Sequence, residues 1–158
     1  VRPLIMNTPF KKLIIQTPKD KPFAVDQLPG AALLTTKKIF NQVGLLDEDF
    51  NFLFEDVDWC YRTRKRTNAK LIVVPQAQVM HVGGASWKQK LDKQRFEFYK
   101  QYFKSLFMFV NKHYQYKKPL FKLGLSFSFL SNSLIHLVTL KYKKAIVQLQ
   151  LLFLLFKL

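Results

Sequence analysis

No acidic side chain occurs after Glu97, yet the chain continues to Leu158 with ten lysines between Lys100 and Lys157. The acids before that point are just as unevenly spread. Six of the ten, Asp47, Glu48, Asp49, Glu55, Asp56 and Asp58, fall in one short stretch. The sequence therefore divides into a first part built around an acidic island and a second part whose cations lack a local counter-charge. At 158 residues there is room for one domain, or a small domain with an appendage. A hydrophobic content of 49% with 16 phenylalanines is enough for a packed core and excludes a disordered chain. The formal net charge of +16 brings nucleic acid, an anionic membrane and phosphorylated substrates into consideration. A uniformly basic binder has no use for an acidic island, so the island needs its own explanation.

Cys60 is the single cysteine, which rules out an internal disulfide framework and fits a reducing compartment. The segment from Val1 to Gln16 has scattered cations and no apolar core, so no secretory signal is read there. The first residue is Val rather than Met, which points to processing or to an incomplete reading frame.

Residues 1–23 hold four prolines around Leu13-Ile14-Ile15 and read as a connecting segment with one edge strand. Pro29-Gly30, followed by Ala31-Ala32-Leu33-Leu34, predicts a turn leading into a buried strand. Thr36 then caps a short helix carrying Ile39, Phe40 and Val43, which Gly44 ends. Residues 47–54 alternate acids with aromatics and read as a loop. A second helix is expected from Glu55 to about Thr67, with Val57, Cys60, Tyr61 and Arg64 on one face. Asp58 and Arg62 form an i,i+4 pair on it, and Asn68 is suited to end it. A strand over Lys70–Val74 is broken by Pro75 and resumes over Gln78–Val82, ahead of Gly83-Gly84.

From Gln94 to Tyr114, the residues Phe96, Tyr99, Phe103, Leu106, Phe107 and Val110 recur at helical spacing and predict a long amphipathic helix. Leu123 to Leu140 is a run of 18 residues without a formal charge, diluted by Ser126, Ser128, Ser131, Asn132, Ser133 and His136. A spanning helix needs about 20 predominantly apolar residues, so this run is borderline. Ala145 to Phe156 is more apolar and too short to span. The flanking lysines, Lys117, Lys118 and Lys122 on one side and Lys141, Lys143 and Lys144 on the other, suit helices lying in a membrane interface. An ordinary helical cap on the domain is the alternative.

Four elements in order carry a resemblance. They are Gly30-Ala31; the run from Phe40 through Gly44 to Asp47, Asp49 and Phe50; the run Phe54-Glu55-Asp56-Val57-Asp58-Trp59 ending at Arg62; and His81-Val82-Gly83-Gly84-Ala85-Ser86. Together they resemble the second half of bacterial family 2 glycosyltransferases, particularly the rhamnosyltransferase-like members that build surface polysaccharides. The resemblance implies an α/β fold, a partial GT-A (Rossmann-like) sandwich lacking its N-terminal nucleotide-binding half, followed by a helical C-terminal tail. The expected division is a linker over residues 1–23, the acceptor-side portion over 24–92, an amphipathic helix over 93–118 and a basic hydrophobic tail over 119–158.

The resemblance also assigns roles. Asp56 matches the family's general base, which takes the proton of an acceptor hydroxyl as it attacks the donor sugar. Glu55 and Asp58 are supports or acceptor contacts; the plainer reading of all three acids is that they favour a helix N-terminus through its dipole. Gly30 and Ala31 let substrate approach the backbone closely, or simply form a turn. Trp59 stacks on a sugar ring or is a core aromatic. His81 matches a histidine that helps to hold a divalent metal, Mn or Mg, in metal-dependent relatives; otherwise it is hydrogen-bonded near a turn. Arg62 is expected to act within its helix rather than on phosphate, and Cys60 to be a buried apolar residue.

Two absences qualify the resemblance. The Gln-x-x-Arg-Trp motif of processive synthases is missing. An Asp-x-Asp motif preceded by βα units is also missing, since Asp47-Glu48-Asp49 follows the Gly-Ala element and so stands in the wrong order. The metal and the nucleotide would therefore be held mostly by a half that the sequence lacks. The implied partners are a nucleotide-sugar donor, a glycan or lipid-linked acceptor and the cytoplasmic face of the cell membrane. The competing readings are a non-enzymatic basic binder of membrane or nucleic acid, and an inactive partner subunit. For nucleic acid, Glu55, Asp56 and Asp58 are repulsive to phosphate.

Overall fold

The computed structural model describes residues 20–79 and 95–158. The first group begins with strand β1 (Phe23–Val25), a single 3-10 turn (Gly30–Ala32) and helix α1 (Lys37–Val43). Helix α2 (Glu55–Arg66) and strand β2 (Leu71–Val73) follow. β1 and β2 pair antiparallel, with Phe23 opposite Val73 and Val25 opposite Leu71. The second group is helical: α3 (Arg95–His113), a 3-10 turn (Gln115–Lys117), α4 (Lys118–Val138) and α5 (Tyr142–Lys157).

Helix α1 forms for local reasons. Thr36 has extended backbone and its Oγ1 accepts from the Ile39 amide, satisfying one of the free donors of the first turn. Gly44 ends the helix at φ 85°, where a side chain would be strained. The helix buries Val43 against Trp59, Cys60 and Leu71, and Ile39 and Phe40 pack around them. This small core joins α1, α2 and the β1–β2 pair.

Helix α2 begins at Glu55 as its acidic first turn requires, and carries Arg64, Lys65 and Arg66 in its last. Its buried face differs from the expected one. Asp58, Trp59, Cys60 and Thr63 are enclosed, whereas Arg64 is exposed. Counting apolar residues misplaced this face because two of its members are polar and find partners inside. Thr63 donates from Oγ1 to the Trp59 carbonyl, and Asp58 is paired as described below. The helix ends at Thr67 in extended backbone rather than at Asn68.

The strand expected after Pro29 is not formed. Gly30 to Ala32 make a 3-10 turn, and Leu34 is 96% exposed, outside the β1–β2 sheet. The strand lies earlier, at Phe23–Val25. The other strand is shorter than expected, Leu71–Val73, and Gln78 and Val79 lie outside any strand. Leu13-Ile14-Ile15, the continuation over 80–82, His81 and Gly83-Gly84 fall outside the described residues.

The second core is aromatic. Phe103 and Phe107 of α3, Phe129 of α4, and Leu151 and Leu155 of α5 are buried together. Phe103 meets Phe129 edge to face at 5.3 Å, and Phe107 meets Phe121 at 5.8 Å, the arrangement that ring quadrupoles favour. The stripe read from the sequence is the surface on which the α4–α5 hairpin packs. The opposite side of α3 meets the acidic loop: Ser105 donates to the Phe52 carbonyl at 2.5 Å, and Phe54 contacts Tyr102 and Phe109.

Candidate functional site

The acidic island is folded into a built structure with most of its members spoken for. Asp49 donates its amide to Asp47 Oδ1 at 3.0 Å, closing an Asx turn that shapes the loop. Lys112 near the end of α3 then bridges Asp47 at 2.5 Å and Asp49 at 2.6 Å. The hydrogen bond to Lys112 holds the Asp47 carboxyl below its ordinary range, and the two carboxylates push the Lys112 ammonium up. Phe50 is buried beneath this bridge, with the Lys112 ammonium 5.3 Å from its ring centroid.

The loop enters α2 through strained backbone. Leu53 and Phe54 have φ of 59° and 76°, in the left-handed region that non-glycine side chains rarely adopt. Such strain costs about 1–3 kcal/mol per residue and persists only where the surroundings enforce it. Here the packing of Phe54 against Tyr102 and Phe109 enforces it. Its consequence is the placement of Glu55 and Asp56 at the first turn of α2.

Asp56 is partly buried, and both of its oxygens accept backbone amides. Oδ2 accepts from Gly30 at 2.8 Å, and Oδ1 accepts from Val57 at 2.8 Å. These two donors fix the carboxylate plane and leave each oxygen a second lone pair. A side chain at Gly30 would start 3.4 Å from Asp56 Cβ and 3.6 Å from its Oδ2. The sequence-derived Gly30 and Asp56 are thus brought together, and Ala31 lies beside them, exposed in the same turn. Glu55 is partly buried, and its Oε2 is enclosed with no hydrogen-bond partner among the described residues.

Asp58 has a different position. It is 1% exposed and bound by Arg62 Nε at 2.6 Å and by His113 Nε2 at 2.6 Å. Arg62 extends the network by donating to the Val43 carbonyl at 2.7 Å and the Leu45 carbonyl at 2.8 Å. Arg66 donates to the same Val43 carbonyl at 3.0 Å. Asp58 is therefore a buried anchor joining α2, the end of α1 and α3, and it has no oxygen open to an acceptor sugar. Arg62 is an internal partner of Asp58.

Trp59, a candidate for stacking on sugar, is a core residue instead. It is 1% exposed, packs against Phe40 at 5.5 Å and donates from Nε1 to the Gly44 carbonyl at 2.9 Å. Cys60 is fully buried, accepting from the Leu28 amide at 3.4 Å, and burial pushes its thiol pKa up. His81 lies outside the described residues. Among the described residues, no group of three or more His, Cys, Asp and Glu side chains could hold a metal ion.

Sequence reasoning missed His113, Lys112 and the strained pair Leu53–Phe54. The first two act on acids 55 and 63–65 residues away, and no local pattern announces such a pairing.

Over 73 residues the chain is 33% identical to a low-salt glycan biosynthesis hexosyltransferase of Haloferax volcanii. The matched part is 46% of this chain and 22% of that relative. No family model matches the chain, and no solved structure matches it.

Proposed function

We propose that this chain is the acceptor-side portion of an inverting, nucleotide-sugar-dependent glycosyltransferase of the GT-A type, rhamnosyltransferase-like, acting in cell-surface glycan synthesis. The observation that carries the reading is the Gly30–Asp56 contact. A turn with no side chain is held against a carboxylate that is oriented by two amides and stands at a strained helix start. General base catalysis needs a fixed carboxylate with a free lone pair and room for a substrate atom beside it. The partial match to a hexosyltransferase of glycan biosynthesis supports the same chemistry.

In this reading, Asp56 accepts the proton of an acceptor hydroxyl while that oxygen attacks the anomeric carbon of the donor sugar. The bond from that carbon to the leaving nucleotide diphosphate breaks with its electron pair, and attack from the opposite face inverts the centre. Asp58, Arg62 and His113 position α2 without touching substrate. Glu55, whose Oε2 is enclosed, supports the start of α2 beside Asp56. The acceptor is a glycan or a lipid-linked sugar. A divalent cation, when bound, would neutralise the leaving diphosphate. The described residues supply no cluster for it, and no step here passes through it.

The nucleic-acid reading loses support from the placement of its lysines. Lys112 is engaged by Asp47 and Asp49, and Lys100 by Glu97, so two cations of the aromatic stretch are already neutralised.

The test is Asp56→Asn in an enzyme that joins this portion to a donor-binding half, assayed by transfer of radiolabelled sugars from nucleotide donors to lipid and glycan extracts of the producing cells. Asparagine keeps an oxygen for the Gly30 amide and cannot take a proton. A rate loss of about 10²–10⁴-fold with unchanged circular dichroism is expected. An unchanged rate would remove Asp56 from the role of base.

A further inference from the structure

The α4–α5 hairpin has a second apolar face beside the one that packs on α3. Along α4, Leu120, Leu123, Phe127, Leu130, Leu134 and Leu137 recur every three or four residues, and they are exposed to between 44% and 75%. The polar side chains of the same stretch, Ser126, Ser128, Ser131, Asn132, Ser133 and His136, are all buried or partly buried. Several are satisfied within the hairpin: Ser133 donates to the Ala145 carbonyl at 3.4 Å, Ser131 to the Ser128 carbonyl at 3.1 Å and Asn132 to Ser128 Oγ at 3.3 Å. On α5, Tyr142, Ile146, Leu149, Phe153 and Phe156 repeat the spacing and are 47–77% exposed. A soluble hairpin turns its leucines inward and its serines outward. Here the serines of α4 turn inward beside the buried Phe129, Leu151 and Leu155, and a second apolar stripe is left facing out, as expected where part of the solvent is hydrocarbon.

We infer that the exposed face of the α4–α5 hairpin seats on an anionic lipid bilayer, with both helices lying in the plane of the interface. Charge selects the occupant. The hairpin is flanked by Lys117 and Lys122 at one end and by Lys141, Lys143 and Lys144 at the other, and no acid follows Glu97. Two such faces brought together as a coiled seam would oppose like charges with no carboxylate to pair them. Anionic headgroups supply the missing counter-charge at both ends, and acyl chains cover the apolar stripe between them.

Charge also selects the orientation. Among the described residues one helical stretch, Gln115–Val138, is long and apolar enough to cross a membrane, with 11% of its apolar window buried. Upright insertion would drive Lys141, Lys143 and Lys144 through the hydrocarbon and draw α3, which packs on the hairpin and carries exposed Lys104, in after them. In the plane, the exposed Lys117, Lys141, Lys143 and Lys144 can reach headgroups by extending their stems. α3 then stands on the water side with the Asp56 loop packed against its far face. Asp56 would thus face the water, with α3 and the hairpin between it and the bilayer.

The test is flotation of the full chain with vesicles of phosphatidylcholine, alone or with about one third phosphatidylglycerol. The chain is expected to rise with the anionic vesicles, and the double variant Phe127→Glu, Leu130→Glu to partition at least about tenfold less. Lys143→Gln with Lys144→Gln should lower the preference for anionic vesicles. Phe153→Trp, a conservative change that keeps the fold testable, should be quenched by lipids brominated on their acyl chains. A chain that stays at the bottom of the gradient, or a Phe127→Glu, Leu130→Glu variant that floats as well as the parent, overturns the inference. So does a dimer in sedimentation that Leu130→Glu dissolves while vesicles fail to bind, since a second copy then covers the face. Bare vesicles contain no donor or acceptor, so a failure here is distinct from a failure of the transferase reading.

Discussion

The amide of Gly30 donates to Asp56 Oδ2 over 2.8 Å, joining two residues that stand 26 positions apart in the chain. The donor is a backbone amide, and the space beside it admits a Cβ but little more. An added Cβ would meet Asp56 Cβ at 3.4 Å, ordinary contact, so Gly30→Ala should change stability and transfer little. Gly30→Val places branched methyl groups where the carboxylate stands. Overpacking of this kind costs about 1–3 kcal/mol, and the displaced carboxylate should lower sugar transfer by about 10²-fold. Urea melts and initial rates of the two variants side by side test this, and equal behaviour of Ala and Val would show that the close approach is incidental.

Asp58 predicts where the fold is most sensitive. Arg62→Met leaves its enclosed carboxylate with only His113, takes a donor from the Leu45 carbonyl and leaves the Val43 carbonyl to Arg66. Breaking a buried pair from one side costs about 3–5 kcal/mol, visible as a lower urea midpoint. Asp58→Asn should cost a similar amount, because it leaves the Arg62 guanidinium, 12% exposed, without its counter-charge. Arg62→Lys should not rescue, since one ammonium cannot reproduce the planar fork that reaches three acceptors.

The Lys112 bridge gives a pH signature. The carboxyl of Asp47 lies below its ordinary 3.8 in the folded chain, so its contribution is complete above that pH and fades as pH falls through the lowered value. Lys112 is raised above 10.5, so its contribution is complete below that pH and fades as pH rises through the raised value. The stability lost in Lys112→Met should therefore be level between these limits and shrink outside both. Exposed pairs of this kind contribute about 0.2–1 kcal/mol each, and roughly 1 M salt should reduce the difference. A difference that grows on acidification would contradict the bridge.

What could be read from the sequence was what local chemistry decides. Thr36 and Gly44 mark the ends of α1, the acidic first turn marks the start of α2, and the aromatic spacing marks α3. The Asp58–Arg62 pair is likewise one turn long. The bonds from Gly30 to Asp56, His113 to Asp58 and Lys112 to Asp47 were not legible, because they join distant segments through packing alone. The strain at Leu53 and Phe54 was hidden for a related reason: aromatic contacts from α3 enforce it, and neither residue type favours the left-handed region. Leu33-Leu34 misled in the opposite sense, since an apolar pair reads as a strand, whereas Leu33 packs on the small core from a turn and Leu34 is exposed.

A final prediction sets stability against membrane seating at the hairpin turn. Helix α4 ends in a Schellman arrangement: the Leu140 amide donates to the Leu137 carbonyl at 3.0 Å and the Lys141 amide to the His136 carbonyl at 2.8 Å. The residue at the turn is Leu140 with φ 56°, where glycine is the usual occupant. A leucine there bears about 1–2 kcal/mol of strain, and at 70% exposure it regains little by burial in water. Leu140→Gly should therefore raise the melting temperature of the soluble chain by a few degrees, about what 1 kcal/mol gives for a domain of this size. The same change removes an apolar side chain from the lipid-facing surface beside Lys141, so flotation with anionic vesicles should weaken. A leucine that is unfavourable in water and useful only against lipid predicts opposite signs in the two measurements. Equal signs would mean that Leu140 is retained for the fold alone.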